Sequence, residues 1–122
     1  MTTLTEKRHT GEFILSEANG QRSRETVTIK SGEDLEAGTV LGKITATSKY
    51  VAYDNDSGDG SEVAFAVLIG ACDATGGDTE AAVIARHAEV NGNCLVWKDA
   101  SPSSGPTAGT ADLLTVGIIV RN

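Results

Sequence analysis

The chain has 122 residues, a formal charge of −7, and only two Phe, two Tyr and one Trp. That length makes one domain with a core of Val, Ile, Leu and Ala, and the acidic balance excludes a nucleic-acid binder, because neutralising phosphates needs a clustered surplus of Lys and Arg. The longest unbroken apolar run, residues 63–69, is far shorter than the roughly 20 residues that span a bilayer, so no membrane segment is expected.

Residues 1–10 are charged and Thr-rich and lead into no apolar run, so they are not expected to be a secretory signal, and the mature protein is expected to begin with them. Charge divides unevenly along the chain. Residues 1–30 hold Lys7, Arg8, Arg22, Arg24 and Lys30 against Glu6, Glu12, Glu17 and Glu25, net +1, which leaves −8 for the rest. Within this stretch one apolar cluster, Phe13-Ile14-Leu15, stands between polar residues, and Asn19-Gly20 marks a turn. So polar a segment buries too little surface to fix itself, and residues 1–24 are expected to form an extended arm. The cluster reads in two ways: as a strand packed on its own domain, or as a sticky segment that orders on a partner, with Phe13 and Leu15 on one face and Ile14 on the other.

From residue 25 onward short strands alternate with turns. Thr26-Val27-Thr28-Ile29 alternates as a half-buried strand does, and residues 39–46 and 49–53 follow as further strands. Residues 62–71 read as a central strand buried on both faces. Residues 82–90 and 93–98 read as the two arms of a hairpin turning at Asn91-Gly92. Both prolines fall in a loop over residues 100–109, Pro106 can open a short helix to Ala111 or Leu113, and residues 114–120 form a last strand. The sum is a mostly β, compact sandwich or barrel-like domain over residues 25–122, with at most one short helix and an extended N-terminal arm.

Catalytic and metal motifs are wanting. The acidic loop at residues 54–61 fails the EF-hand pattern, since Gly58, Asp59 and Phe65 stand at the fifth, sixth and twelfth positions where an acid or amide, Gly and Glu are needed. Cys72 and Cys94 are separated by 21 intervening residues with no close ligand pair, and with His9 and His87 they lack zinc-site spacing; two small buried thiols are expected. His87 and Glu89 would share a strand face as a base and its carboxylate, yet no nucleophile motif accompanies them, and a surface polar pair is expected. No phosphate-binding glycine loop is present. No enzyme activity and no cofactor is expected.

Two stretches carry a likeness. One is Gly11-Glu12-Phe13-Ile14-Leu15-Ser16-Glu17-Ala18 followed by Ser23-Arg24-Glu25-Thr26-Val27-Thr28-Ile29; the other is Leu35-Glu36-Ala37-Gly38-Thr39-Val40-Leu41-Gly42-Lys43-Ile44 with Lys49-Tyr50-Val51-Ala52-Tyr53-Asp54 and Asp59-Gly60-Ser61-Glu62. Together they resemble the head decoration protein family of tailed bacteriophages. The resemblance implies a β-rich domain that forms a homotrimer at three-fold and quasi-three-fold positions on the outside of the expanded head. It also implies an N-terminal arm gripping the major capsid protein, for which Phe13, Ile14, Leu15, Ser16, Glu17, Arg22 and Arg24 are the expected contacts. Other readings are a tail or fibre component, or a biotinyl or lipoyl carrier domain suggested by the phrase running from Gly32 to Leu41. Against the carrier, none of Lys30, Lys43, Lys49 and Lys98 has the neighbours of a cofactor-bearing lysine.

Overall fold

A computed structural model describes residues 10–55, 57–98 and 105–121. Five strands, β2 (Arg24–Ile29), β4 (Val40–Lys43), β5 (Tyr50–Ala52), β6 (Ala64–Leu68) and β8 (Thr79–Ile84), close into a barrel in the order β2-β5-β4-β6-β8. Successive side chains on a strand face opposite ways, and here they go to two separate cores. Ile29, Leu41, Ala52, Ala66, Leu68 and Val83 pack together as the barrel's filling, whereas Val40, Val67 and Ile84 belong to a second cluster with Phe13, Val90, Leu113 and Ile118.

That second cluster is covered by an outer sheet. Its central strand β9 (Ala88–Asn91) pairs antiparallel with β1 (Ile14–Glu17) and parallel with β10 (Ile118–Arg121), and helix α1 (Gly105–Thr115) packs against β6 and β10. A two-stranded ribbon of β3 (Asp34–Leu35) and β7 (Cys72–Asp73) completes the fold. The mostly β reading with one short helix therefore holds.

Several boundaries differ from expectation. The single strand expected over residues 82–90 is broken at His87, whose φ of 52° is left-handed, so that β8 stays in the barrel and β9 crosses to the outer sheet. The hairpin at Asn91-Gly92 does not form. Instead Asn91 ends β9, its side-chain oxygen accepts the Asn93 N–H, and a short 3-10 turn (Gly92–Cys94) sends the chain back to the barrel, where Val96 bridges Thr39 in parallel. The last strand begins at Ile118 rather than at residue 114, because α1 runs through Thr115 and ends at Gly117, whose φ of 85° makes the left-handed helix exit.

Gly109 costs α1 helix propensity, yet the space beside it leaves no room for a larger residue. A Cβ there would overlap the Trp97 ring and approach Tyr53 Cε2 to 3.0 Å. Tyr53 and Trp97 themselves meet edge to face with centroids 6.1 Å apart. Gly109→Ala is therefore expected to destabilise the domain by about 1–3 kcal/mol through overpacking, against a helix-propensity gain of about 1 kcal/mol. Urea unfolding followed by Trp97 fluorescence measures the difference; a stabilised variant would show that the helix shifts freely.

The segment expected as an arm is partly built into the body. Residues 10–24 are described, with Gly11 N–H donating to Ile69 O at 2.9 Å and Phe13 wholly buried in the second cluster; residues 1–9 of that expected arm lie outside the described residues. Three apolar side chains in a row thus find part of their partner within the chain, through pairing with a strand some seventy residues away.

Candidate functional site

The residues singled out from the sequence lie on β1, on the turn after it and at the start of β2. Phe13 O accepts the Asn91 N–H at 2.7 Å, and this bond sets β1 beside β9. Register then slips between Ile14, opposite Val90, and Ser16, opposite Glu89, so Leu15 is the extra residue of a β-bulge. The bulge separates what alternation would keep together. Phe13 is 0% exposed and Leu15 is 54% exposed, so the expected common face of Phe13 and Leu15 is corrected: one points into the core and the other to solvent. Ile14 is half-buried against the second cluster.

Polar groups fix the strand beyond the bulge. Ser16 Oγ donates to Glu89 Oε1 at 3.1 Å while Arg121 Nε donates to Glu89 Oε2 at 2.9 Å, tying β1, β9 and β10 across one face of the outer sheet. Hydrogen bonds from Arg121 first, then Ser16, hold the Glu89 carboxyl below its ordinary pKa. Glu17 receives a two-pronged bond from Arg24, Nε at 2.8 Å and Nη2 at 2.9 Å, which lowers the Glu17 pKa and raises that of Arg24. Between these partners the turn closes on Ser23, which is fully buried: its Oγ accepts the Ala18 N–H at 2.9 Å and donates to His87 O at 2.8 Å. Arg22 is exposed, and its carbonyl accepts a bond from Arg86, which also pairs with Glu25 at 2.7 Å.

The structure therefore places Ile14, Leu15, Ser16, Glu17, Arg22 and Arg24 along one stretch that runs from β1 in the outer sheet through a turn into β2 of the barrel, and takes Phe13 inside. Sequence reasoning missed Glu89, Arg121 and Ser23. Of these only Glu89 carried a signal, and it was paired with His87. His87 instead occupies the corner between β8 and β9 and shares no strand face with Glu89.

Elsewhere the groups weighed for chemistry have structural duties. Asp59 accepts Ser61 Oγ at 2.6 Å, Ser57 Oγ at 2.7 Å and Ser61 N–H at 3.1 Å, bonds that lower its pKa from 3.8 to about 2. A carboxylate with a depressed native pKa contributes stability above its unfolded value, and that contribution is lost as pH falls through the native one. Melting temperature is accordingly expected to drop as pH falls from 3.8 toward about 2; the Asp59→Asn variant, melted over the same window, should show a shallower slope, and an identical slope would remove Asp59 from the effect. Cys72 is buried, its thiol pKa raised by desolvation and then by Asp73, and Cys94 is half-buried; both are free thiols. Among the described residues no group of three or more His, Cys, Asp or Glu could hold a metal ion, and no helix is long and apolar enough to cross a membrane.

Residues 3–118 match the family model described as bacteriophage lambda head decoration protein D. The chain belongs to the head decoration protein family. That match covers nearly the whole sequence, including β1, the barrel and α1, and it makes the chain a structural component of the phage head with a capsid decoration role. The decoration family is structural rather than catalytic, and its members associate with the capsid of the virion. No curated protein matches the chain.

Proposed function

We propose that this decoration protein cements the expanded head from outside, binding as a homotrimer at three-fold and quasi-three-fold positions and gripping the major capsid protein through its N-terminal segment. The observation that supports this most is the bulge on β1. An edge strand with an outward leucine, rooted in the core by the preceding Phe13, offers backbone groups and an apolar anchor to an added strand. Ser16 and Glu17 follow that anchor on the strand, Arg24 pairs with Glu17 and Arg22 stands exposed on the turn, polar and charged groups that would fix register, and the proposed contact includes residues 1–9. Phe13 acts here as the root of the grip and not as a contact.

Three segments on one trimer engage together, so weak single contacts multiply, by roughly 10²–10⁴ in avidity for linked sites. A binder that prefers the expanded shell stabilises it by mass action and so opposes the pressure of packaged DNA. The acidic body is left to face water.

The test is co-sedimentation of the intact chain and of a chain lacking residues 1–9 with expanded and unexpanded heads. Removing all of residues 1–24 would also remove Phe13 and confuse binding with folding. Selective binding to expanded heads, weakened by the short truncation, is the expected result. Equal binding to both head forms, or association with tails instead, would sink the reading.

A further inference from the structure

The sequence contains two Asn-Gly pairs, Asn19-Gly20 and Asn91-Gly92, and the fold treats them differently. An Asn side chain can be attacked by the main-chain nitrogen of the next residue, and glycine offers that attack the least steric hindrance. Whether it happens depends on freedom: the Asn must rotate until its Cγ meets that nitrogen.

Asn91 is held. Its N–H donates to Phe13 O at 2.7 Å, it lies opposite Arg121 in β10, its side-chain oxygen accepts the Asn93 N–H at 3.0 Å, and its backbone is extended at φ −84°, ψ 110°. Rotation there must break the centre of the outer sheet.

Asn19 sits in the turn between β1 and β2, and both Asn19 and Gly20 are exposed. Among the described residues no hydrogen bond holds the Asn19 carboxamide or the Gly20 N–H. Nothing lies within 4 Å of where a Gly20 Cβ would stand, and Gly20 is already in the left-handed region at φ 70°, so water and hydroxide reach the pair. The turn is anchored around the pair and not at it, by Ser23 on Ala18, by Arg24 on Glu17 and on Gln21 O, and by Arg86 on Arg22 O.

We infer that Asn19-Gly20 is a site of spontaneous covalent modification, converting to aspartate and isoaspartate while Asn91-Gly92 stays intact in the folded chain. The Gly20 nitrogen loses its proton and bonds to Asn19 Cγ, and the side-chain nitrogen leaves with that proton as ammonia, giving a succinimide ring. Water then opens the ring at either carbonyl; one route yields aspartate, the other isoaspartate with an extra methylene in the main chain. Either product adds one negative charge beside Arg22 and Arg24 and takes the first thirty residues from net +1 to zero. The chain thereby carries a slow chemical clock in the turn that joins its outer sheet to its barrel.

The experiment incubates the folded full-length chain at mildly alkaline pH and maps its peptides by mass, with isoaspartyl methyltransferase and S-adenosylmethionine as the probe for isoaspartate. Conversion at Asn19 should outrun that at Asn91 by about tenfold or more, the factor that ~1.4 kcal/mol of local restraint supplies. In urea-unfolded chain the two rates should converge. Asn19→Gln should abolish the early product without changing the melting temperature. Equal rates at the two sites in the folded chain, or conversion that starts at Asn91, would overturn the inference.

Discussion

Phe13→Ala is expected to cost about 3–5 kcal/mol of folding stability, a large part of what a domain this size possesses. The phenyl ring is wholly buried among Val40, Val67, Val90, Leu113 and Ile118, and it fastens the outer layer to the barrel wall. Its removal leaves a cavity lined by residues from both layers, which collapse cannot fill without moving β1 off β9. Chemical denaturation of the purified variant is the measurement. A loss under about 1 kcal/mol, the scale of an ordinary surface change, would show that β1 is not fixed in solution.

Leu15→Asp should do the reverse. Its side chain already faces solvent, so the variant is expected to melt within about 1 kcal/mol of the parent. Binding to expanded heads should nevertheless fall steeply. If each docking event buries the leucine, the lost contact is about 1.5 kcal/mol per protomer, and three protomers acting together lose roughly a thousandfold in apparent affinity. Sedimentation of the folded variant with heads reads this directly; undiminished binding would place the contact elsewhere on the chain. The pair is expected to separate residues that are neighbours but one in sequence, stability resting on the first and association on the second.

That separation was not legible beforehand, and the reason is physical. Two-residue alternation assigns Phe13 and Leu15 to one face, and only the pairing of β1 with β9 introduces the extra residue that reverses Leu15. Nothing local to residues 11–18 encodes that partner. By contrast Thr26-Val27-Thr28-Ile29 declared itself as a strand through its own alternation, and Pro106 marked the start of α1. The errors cluster where distant contacts override local preference. Gly109 is kept in a helix by the Trp97 ring, and His87 is turned left-handed at a corner held by Ser23 from 64 residues away. Of the candidate site, the residue types and their segment were readable, while Ser23, Glu89 and Arg121 were not, since each acts only through the tertiary arrangement.

The outer sheet is assembled from the beginning, the later middle and the end of the sequence, whereas all five barrel strands lie between residues 24 and 84. During synthesis the barrel can close before β10, which begins 34 residues after β8 ends, has left the ribosome, and contacts over long sequence separations, such as that of β1 with β9, form late in any case. The strand bearing Leu15 should therefore be the last part of the protein to take its final shape. Pulse-labelled hydrogen exchange during refolding is expected to protect barrel amides before those of β1, β9 and β10; simultaneous protection would contradict that order. On the proposed function, a gripping surface finished last is absent from a half-made chain, which would keep incomplete molecules from occupying the sites that finished ones need.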